Sequence, residues 1–377
     1  MNYSIETGPI RPPSEAESLL LRLTRNCTWN KCAFCNVYKG KEFSRRTVEE
    51  IKSDIDTMVY IRDELLKASA KISKGRITQE AITDVVNSNV KLQEEIFRVG
   101  SWLYTGAKTV FLQDANSLVM KTKEIVEILN YLKDKFPTIE RITTYARSKT
   151  VSNKTLEELK DLRAAGLSRI HVGMESGSDK VLALINKGVT AADHISAGQK
   201  AMAAGFDLSE YYMPGLGGKE LWEENAVESA RVLNAINPTF IRIRSIVPVP
   251  NTPLYQMMLE KKWTAPNDEE KVKELRLFIE KLEGITSTFL SDHIMNLLED
   301  LGADLPQGKK DMLMLIDQFL GMEKDDRENF IIGRRLGYIR YLSDYRRDSN
   351  IAGLKKQILE KFPNIDEAVM QILRNYI

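Results

Sequence analysis

The sequence is poor in cysteine and histidine and has no excess of either charge. Its 377 residues include three cysteines and three histidines, and 54 lysines and arginines stand against 53 aspartates and glutamates. The net charge of +1 gives no electrostatic reason to expect a nucleic acid or an anionic membrane as a partner. All three cysteines lie between positions 27 and 35, so they cannot form a disulfide framework. Three thiols this close together indicate a metal site instead.

Long apolar runs are also missing. No stretch approaches the roughly 20 apolar residues that a transmembrane helix needs. Residues 1–13 are polar and contain prolines, so they lack the apolar core of a secretory signal. With 43% hydrophobic and 28% charged residues, the composition is that of a soluble globular protein. We therefore expect a cytoplasmic protein without a membrane span.

Short β-rich runs alternate with helical patterns between residues 19 and 247. The patterns predict strands at Leu19–Thr24, Thr109–Asp114, Arg141–Tyr145, Arg169–Gly173, Phe206–Met213 and Phe240–Val247. They predict helices at Lys121–Phe136, Asn153–Ala165, Ala191–Ala204 and Glu220–Ile236. Repeated strand–helix units imply parallel strands with right-handed crossovers. Six such strands predict an α/β fold, a barrel or partial barrel with its active site at the carboxyl ends of the strands.

Two regions interrupt the alternation. From Val48 to about Gly106 the periodicity is helical, which predicts a helical insertion after the first strand, at about residues 58–104. From about Pro266 onward we find no strand pattern, so we expect a helical C-terminal domain at residues 266–377. The segment Pro266-Asn267-Asp268 is the predicted linker. The strand–helix core then covers residues 15–260.

The cysteines form the run Cys27-Thr28-Trp29-Asn30-Lys31-Cys32-Ala33-Phe34-Cys35, directly after the first strand. Thiolates are the usual ligands of iron–sulfur clusters, and three of them on four irons leave one iron open to a substrate or cofactor. A zinc site is the alternative, and it would need a fourth ligand such as His171. A non-catalytic electron-transfer cluster is a further alternative, although it normally has four thiolates.

The motif Cys-x4-Cys-x2-Cys resembles the cluster motif of the radical SAM superfamily, with one more residue between the first two cysteines than is usual. Two other segments are similar to the superfamily branch that includes tRNA methylthiotransferases, elongator-type enzymes and oxygen-independent coproporphyrinogen oxidases. They are Gly173-Met174-Glu175-Ser176-Gly177-Ser178 and Met213-Pro214-Gly215-Leu216-Gly217-Gly218. The resemblance covers about residues 15–260. It implies a partial (β/α)6 TIM-like radical SAM barrel.

The resemblance also implies a reaction. A 4Fe–4S cluster on Cys27, Cys32 and Cys35 would cleave S-adenosylmethionine (SAM) reductively, and the 5′-deoxyadenosyl radical would abstract hydrogen from a small molecule. The expected partners are that substrate and a reduced flavodoxin or ferredoxin-type electron donor, and the enzyme would be oxygen-sensitive. The outcome stays open between oxidation, methylation and C–C bond formation or rearrangement. Without further cysteines we expect no auxiliary cluster, and without a preceding Rossmann-like domain we expect no cobalamin.

Several residues are candidates for binding SAM by their position in the resemblance. Phe34 would border the adenine, and Glu175 with Ser176 would contact the ribose or the methionyl end. The loop after the second strand offers Gln113, Asp114 and Asn116, of which Asp114 would pair with an ammonium. Capping of the following helix is the alternative for Asp114 and Asn116.

Three arginines and one glycine complete the predicted cofactor site. Arg147 follows the third strand, and Arg242 and Arg244 share one face of the sixth strand because side chains alternate along a strand. One of this pair could clamp the methionyl carboxylate and the other an acidic substrate, or both could face solvent. Gly215 lies in a glycine-rich loop that could wrap the adenine or simply make a tight turn.

The substrate space is predicted from aromatic and titratable residues near the strand ends. The candidates are Tyr38, His171, Tyr212 and His293. Asp292 and His293 precede the predicted helical run Asn296–Leu301. They are either a helix start or an acid–base pair at the barrel mouth.

Overall fold

The computed structural model describes residues 3–375 and divides into two compact units. The first unit contains the residues up to Asn30 together with Gly40–His171 and Lys200–Asp207. The second contains Lys31–Lys39, Val172–Gln199 and the residues from Leu208 onward. The boundary near Pro266 stays a prediction, and the last two residues of the predicted domain 266–377 lie outside the described residues.

A mostly parallel sheet of eight strands organises the fold. Together with a separate pair, the strands of the described residues are β1 (Leu19–Arg22), β2 (Thr24–Arg25), β3 (Ser44–Arg45), β4 (Thr109–Gln113), β5 (Arg141–Ala146), β6 (Leu167–Glu175), β7 (Asp207–Tyr212), β8 (Phe240–Ile243), β9 (Thr288–Leu290) and β10 (Gly302–Asp304). Their order in the sheet is β1-β4-β5-β6-β7-β8-β9-β10, and β2 pairs with β3 separately. The pairs β1–β4, β4–β5, β7–β8 and β8–β9 are parallel, whereas β9–β10 is antiparallel. The predicted α/β class is confirmed.

Helices follow most of the strands and also fill the region between β3 and β4. Their bounds are α1 (Val48–Ile72), α2 (Gln79–Ser88), α3 (Gln93–Tyr104), α4 (Thr122–Lys135), α5 (Ser148–Asn153), α6 (Leu156–Ala164), α7 (Asp179–Leu184), α8 (Ala191–Ala203), α9 (Trp222–Ile236), α10 (Pro253–Leu259), α11 (Asp268–Glu280), α12 (Lys309–Leu320), α13 (Lys324–Arg335), α14 (Ser349–Lys361) and α15 (Ile365–Arg374). The predicted helical insertion corresponds to α1–α3. It begins at a capping box in which Thr47 accepts from Glu50 N and the Glu50 side chain accepts from Thr47 N.

Buried strand residues form the core of each unit. In β4, Val110, Phe111 and Leu112 are fully buried in succession, as expected of a parallel strand covered on both faces. Among the described helices, none combines the length and the apolar character needed to cross a membrane.

The structure corrects the prediction in the C-terminal third. Strands β9 and β10 extend the sheet after Pro266, where the sequence predicted no strand, because three residues are too few to establish a period. The predicted helical run Asn296–Leu301 is a series of turns between these two strands. Strand β8 ends at Ile243 rather than Val247. The predicted helix Asn153–Ala165 is α6, which begins at Leu156 because Thr155 forms a capping box with Glu158, and the short helix α5 before it was not predicted.

Candidate functional site

The loop that carries the cysteines runs from β2 to β3. Asn26 and Asn30 on either side of Cys27 have positive φ angles of 68° and 48°, a conformation that asparagine tolerates better than most residues. Their side-chain amides donate to Glu42 O at 2.5 Å and to Lys41 O at 3.1 Å, and these bonds hold the two ends of the loop together. Cys27, Cys32 and Cys35 are half-buried and form no disulfide.

The chemistry of these thiols fits an iron–sulfur cluster. Within residues 3–375 no group of three or more histidine, cysteine, aspartate or glutamate side chains is arranged to hold a single metal ion. A cubane does not need such convergence, because each thiolate binds a different iron. Three half-buried thiols on a loop offer ligands and leave access for a further molecule.

The second half of the cysteine run is anchored in the second unit. Ala33, between Cys32 and Phe34, donates from its backbone N to Ile185 O at 2.7 Å and accepts at its carbonyl from Leu254 N at 2.9 Å. Its methyl group belongs to a hydrophobic cluster with Val181 and Met213, against which Phe34 packs. The segment is therefore held on both sides by backbone bonds and by apolar packing.

An ion pair lies beside this segment at the carboxyl end of β6. Lys187 Nζ is 3.1 Å from Glu175 Oε1, and both side chains are nearly buried. The Lys187 ammonium also lies 5.7 Å from the centre of the Phe34 ring. Gly173 provides the space for this pair, because a Cβ there would collide with the Glu175 carboxylate. Glu175 itself has a φ of 65°, so the chain turns sharply at the predicted cofactor residue.

Glu210 on β7 is a second buried carboxyl in this part of the unit, and the sequence analysis missed it. It is fully buried, and neither carboxyl oxygen has a hydrogen-bond partner among the described residues. Burial raises the pKa of Glu210 well above its usual value, the charge of Glu175 raises it further, and Lys187 opposes the shift. The surroundings of Glu210 therefore favour its neutral form.

Ser176 follows Glu175 in a tightly packed turn. Its fully buried hydroxyl accepts from Ser178 N at 3.0 Å, and Ser178 in turn caps α7 by accepting from Val181 N. Between them, Gly177 donates to Ser229 Oγ at 2.8 Å, and a Cβ at this glycine would collide with the backbone of Glu228. The structure thus places Ser176 in the turn that supports Glu175.

Gly215 is held by a buried glutamate of α11. Its backbone N donates to Glu274 Oε2 at 2.8 Å, while Tyr212 Oη and Asn225 Nδ2 donate to Glu274 Oε1 at 2.6 and 2.7 Å. Gly215 has a φ of 84°, which favours glycine. The Tyr212 hydroxyl therefore contacts α11, where its ring stacks on Phe278. The role of Tyr212 in lining a substrate space stays a prediction.

Glu274 makes the stability of this unit depend on pH. Its burial raises the pKa to about 7, against the lowering effect of the Tyr212 hydrogen bond. Since the folded state holds the proton more tightly than the unfolded chain, the stabilising contribution is complete below about pH 4.5. This contribution to the free energy of unfolding amounts to about 3 kcal/mol, and it is lost as the pH rises to about 7.

We expect Glu274→Gln to reduce this decline of the free energy of unfolding with pH, as measured by urea unfolding at pH 5 and pH 7.5. If Glu274→Gln and the exposed control Glu283→Gln lose the same unfolding free energy between the two pH values, Glu274 is not the cause of the pH dependence.

The predicted polar residues after β4 serve the first unit. Asp114 forms a 2.7 Å ion pair with Arg22 and accepts from Asn26 N at 3.1 Å. The Gln113 side chain binds the backbone of Gly8 and Ile10. Their side chains therefore hold the end of β1, the start of the cysteine loop and the N-terminal segment.

Asn116 is also engaged within the first unit. Its amide donates to Thr28 and Thr150, and its carbonyl oxygen accepts from Arg147 N at 3.1 Å. The bond to Thr28 fixes the residue next to Cys27. Capping of a helix, the alternative for Asn116, is not observed: its side chain makes no cap bond to the 3₁₀ turn that follows it.

The remaining predicted residues of the first unit, Arg147 and His171, each lie next to an aromatic ring. The Arg147 guanidinium lies 5.1 Å from the Trp29 ring, within the cysteine loop. His171 is fully buried, with its ring 5.8 Å from that of Tyr145. In the second unit, Tyr38 is buried close after Cys35. The roles of these residues in binding a substrate or cofactor stay predictions.

The two arginines of β8 have different surroundings. Arg242 is buried and forms an ion pair with Asp292. Arg244, immediately after β8, is exposed, and its backbone N continues the ladder by donating to Tyr212 O at 3.0 Å. Burial lowers the pKa of His293 to about 4, assisted by the charge of Arg244 and opposed by Asp292. The predicted helix start at Asp292 and His293 is wrong, because both residues lie in a turn after β9.

A family model describes part of the chain. Residues 78–230 match the model of the Radical SAM superfamily, so the chain carries a radical SAM domain. The matched range includes Glu175, Lys187 and Gly215, and it begins after the three cysteines.

Several known proteins are similar to the chain at low identity. The heme chaperone HemW of Bacillus subtilis is 21% identical over 197 residues, which are 52% of this chain and 51% of that protein. The chain thus spans about half the length of this curated relative. Coproporphyrinogen III oxidase (HemN) of Escherichia coli superposes with a TM-score of 0.44 and 16% identity, covering 70% of this chain and 52% of HemN. The Elp3 of Methanocaldococcus infernus superposes with a TM-score of 0.42 and 13% identity, covering 68% of this chain and 62% of that protein.

Proposed function

We propose that this chain, through its radical SAM domain, is an enzyme that binds one 4Fe–4S cluster on Cys27, Cys32 and Cys35. When bound, the cluster would deliver one electron to SAM, which yields methionine and a 5′-deoxyadenosyl radical that takes a hydrogen atom from a small-molecule substrate. The electron comes from an external donor of the flavodoxin or ferredoxin type. The reaction requires the exclusion of oxygen and of bulk water from the site.

The observation that carries this proposal is the anchoring of Cys32 to Cys35 beside the Glu175–Lys187 pair. The backbone bonds of Ala33 to Ile185 and Leu254 fix the two thiols on the second unit. The same segment brings Phe34 to the Lys187 ammonium. Within the second unit, the Cys32–Cys35 segment therefore lies with a cation, a carboxylate and an aromatic ring. SAM offers a carboxylate for the cation, ribose hydroxyls for the carboxylate and an adenine for the ring.

The buried ion pair would exchange its internal contact for contacts to the cofactor. Lys187 would bind the methionyl carboxylate of SAM, and Glu175 would accept hydrogen bonds from the ribose hydroxyls. Phe34 borders the adenine. Ser176 and Gly215 position these groups through the turn after β6 and the loop after β7. The cysteine loop is fixed by four residues of the first unit: Gln113, Asp114, Asn116 and Arg147.

Anaerobic reconstitution with iron and sulfide tests the proposal. Incubation with SAM and dithionite is expected to yield 5′-deoxyadenosine and methionine in equal amounts, measured by liquid chromatography with mass spectrometry. Iron and sulfide analysis should give the composition of one 4Fe–4S cluster per chain. Intact SAM in the presence of a complete cluster would instead identify a non-catalytic electron carrier.

A further inference from the structure

Arg244 differs from most arginines of the second unit in having no acidic partner. Among residues 3–375, no hydrogen bond or ion pair involves its guanidinium, whereas Arg242 on the same face is neutralised by Asp292. The side chain is exposed at the carboxyl end of β8. An unneutralised arginine at the end of a parallel strand lies where such folds bind their ligands.

The neighbourhood of Arg244 is rigid. The Asn296 side chain holds the residues on both sides of it, since its amide donates to Ile243 O at 2.8 Å and its oxygen accepts from Ser245 N at 2.9 Å. Asn296 lies three residues after His293, and Ser291 closes the same turn by donating to Leu298 O at 2.7 Å. The strand end and the turn that carries His293 are thus joined at a fixed position.

His293 adds a second donor with a defined orientation. Its Nδ1 accepts a hydrogen bond from Met295 N at 3.2 Å, so in the neutral ring the proton must be on Nε2. Because the pKa of His293 is about 4, the ring is neutral at physiological pH. The ring therefore offers an N–H donor and no charge, and it lies in the turn that Asn296 joins to both neighbours of Arg244.

The charges of this neighbourhood select the type of ligand. Arg242 and Asp292 cancel one another, His293 is neutral, and burial keeps the Tyr211 hydroxyl protonated by raising its pKa to about 12. The guanidinium of Arg244 leaves one positive charge. A carboxylate, with one negative charge and two oxygens, matches a guanidinium and an N–H, whereas a phosphate dianion would require a second cation.

We propose that Arg244 and the Nε2–H of His293 form a subsite for a carboxylate group of the substrate, an assignment that rests on the proposed function. The subsite adjoins the proposed cofactor site across β7, because Met213 N donates to Glu175 O at 2.9 Å and Arg244 N donates to Tyr212 O at 3.0 Å. The enzyme therefore acts on a small carboxylic acid. Lys187 holds the carboxylate of SAM, and Arg244 holds that of the substrate.

Acetate serves as the probe in saturation-transfer difference NMR on the anaerobically reconstituted chain, at constant ionic strength and with inorganic phosphate in comparison. Wild type should bind acetate saturably and more tightly than phosphate. Arg244→Gln should weaken acetate binding roughly tenfold, and His293→Phe should weaken it several-fold. The control Arg231→Gln removes an exposed arginine of α9 and should bind as wild type does. Arg244→Lys, which keeps the charge but not the planar fork, should be intermediate.

SAM cleavage without substrate provides the second readout. In Arg244→Gln it should stay within about twofold of wild type, since the proposed subsite does not contact SAM. Equal acetate binding by wild type and Arg244→Gln would overturn the subsite. Tighter binding of phosphate than of acetate would overturn the ligand class, and a tenfold loss of substrate-free SAM cleavage would assign Arg244 to the cofactor. Failure of wild type to cleave SAM would refute the proposed function but would leave the acetate result interpretable.

Discussion

Replacing Cys32 by alanine is expected to abolish cluster binding and to lower the production of 5′-deoxyadenosine by roughly 100-fold or more. Cys32 precedes Ala33, whose backbone is fixed to Ile185 and Leu254, so no other side chain can move into its place without breaking these bonds. The chain has three cysteines, and no fourth thiol can replace a lost ligand. Iron and sulfide content, visible absorption and 5′-deoxyadenosine should therefore all decrease together.

Lys31→Gln is the matched control for this variant. It changes the neighbouring exposed residue of the same loop and keeps all three thiols, so it should reconstitute like wild type. The thermal unfolding midpoints of both variants before reconstitution will show whether the loop change disturbs the fold. A Cys32→Ala protein that retains a full cluster and cleaves SAM would disprove the ligand assignment.

Lys187→Met is expected to raise the KM for SAM by roughly 10- to 100-fold, which is the effect of losing one charge-assisted hydrogen bond. Lys187 is nearly buried between Glu175 and the Phe34 ring, and methionine fills a similar volume without the charge. With the cation removed, the Glu175 carboxylate also becomes less favourable in this buried position. The rate at saturating SAM should decrease less than the KM increases.

The exposed Lys180 offers the comparison. It pairs with Glu224 at 2.7 Å on the surface of the same unit, so Lys180→Met removes an ion pair without touching the proposed cofactor site. Its KM for SAM should match that of wild type. If Lys187→Met leaves the KM unchanged while its cluster is complete, the methionyl carboxylate binds elsewhere.

The strands of the sheet were predictable because parallel strands are long apolar runs with turn residues around them. Each strand from β4 to β7 begins and ends within two residues of its prediction. Strands β9 and β10 were missed because three residues carry no recognisable period, and they form by adding to the edge that β8 provides. Pairing with a preformed edge is a tertiary effect that a local sequence pattern does not contain.

For the candidate site, the sequence indicated residue types and candidate residues more completely than the contacts between them. Glu175 and Gly215 were candidates because they lie in recognisable segments, whereas the ion pair of Lys187 with Glu175 was not predicted although Lys187 follows in the same segment. A single lysine after the apolar stretch Val181-Leu182-Ala183-Leu184-Ile185 was the available signal. Glu210 gave a similar signal as the one acid within the run Leu208–Met213. Burial distinguishes both from surface charges, and burial depends on packing.

The arginines show what strand alternation can and cannot establish. It predicts that Arg242 and Arg244 share one face, but it could not say which of them has a counter-ion. Asp292 supplies that counter-ion from a turn 50 residues further along the chain. This difference is the basis for our proposal that Arg244 holds a substrate rather than SAM.

The adjacent tyrosines of β7 also safeguard the folding of the sheet. In the native register Tyr211 lies opposite Arg242 and Tyr212 opposite Ile243. A slip by one residue would exchange their faces, which would place the phenol of Tyr212 among the arginines and deprive Glu274 of its hydroxyl donor. Misaligned chains would thus lose one of the three donors that satisfy the buried Glu274. Because the two tyrosines have similar side chains that point in opposite directions, incorrect pairing of β7 would be less stable than the native register. The two proposed binding sites meet at this strand.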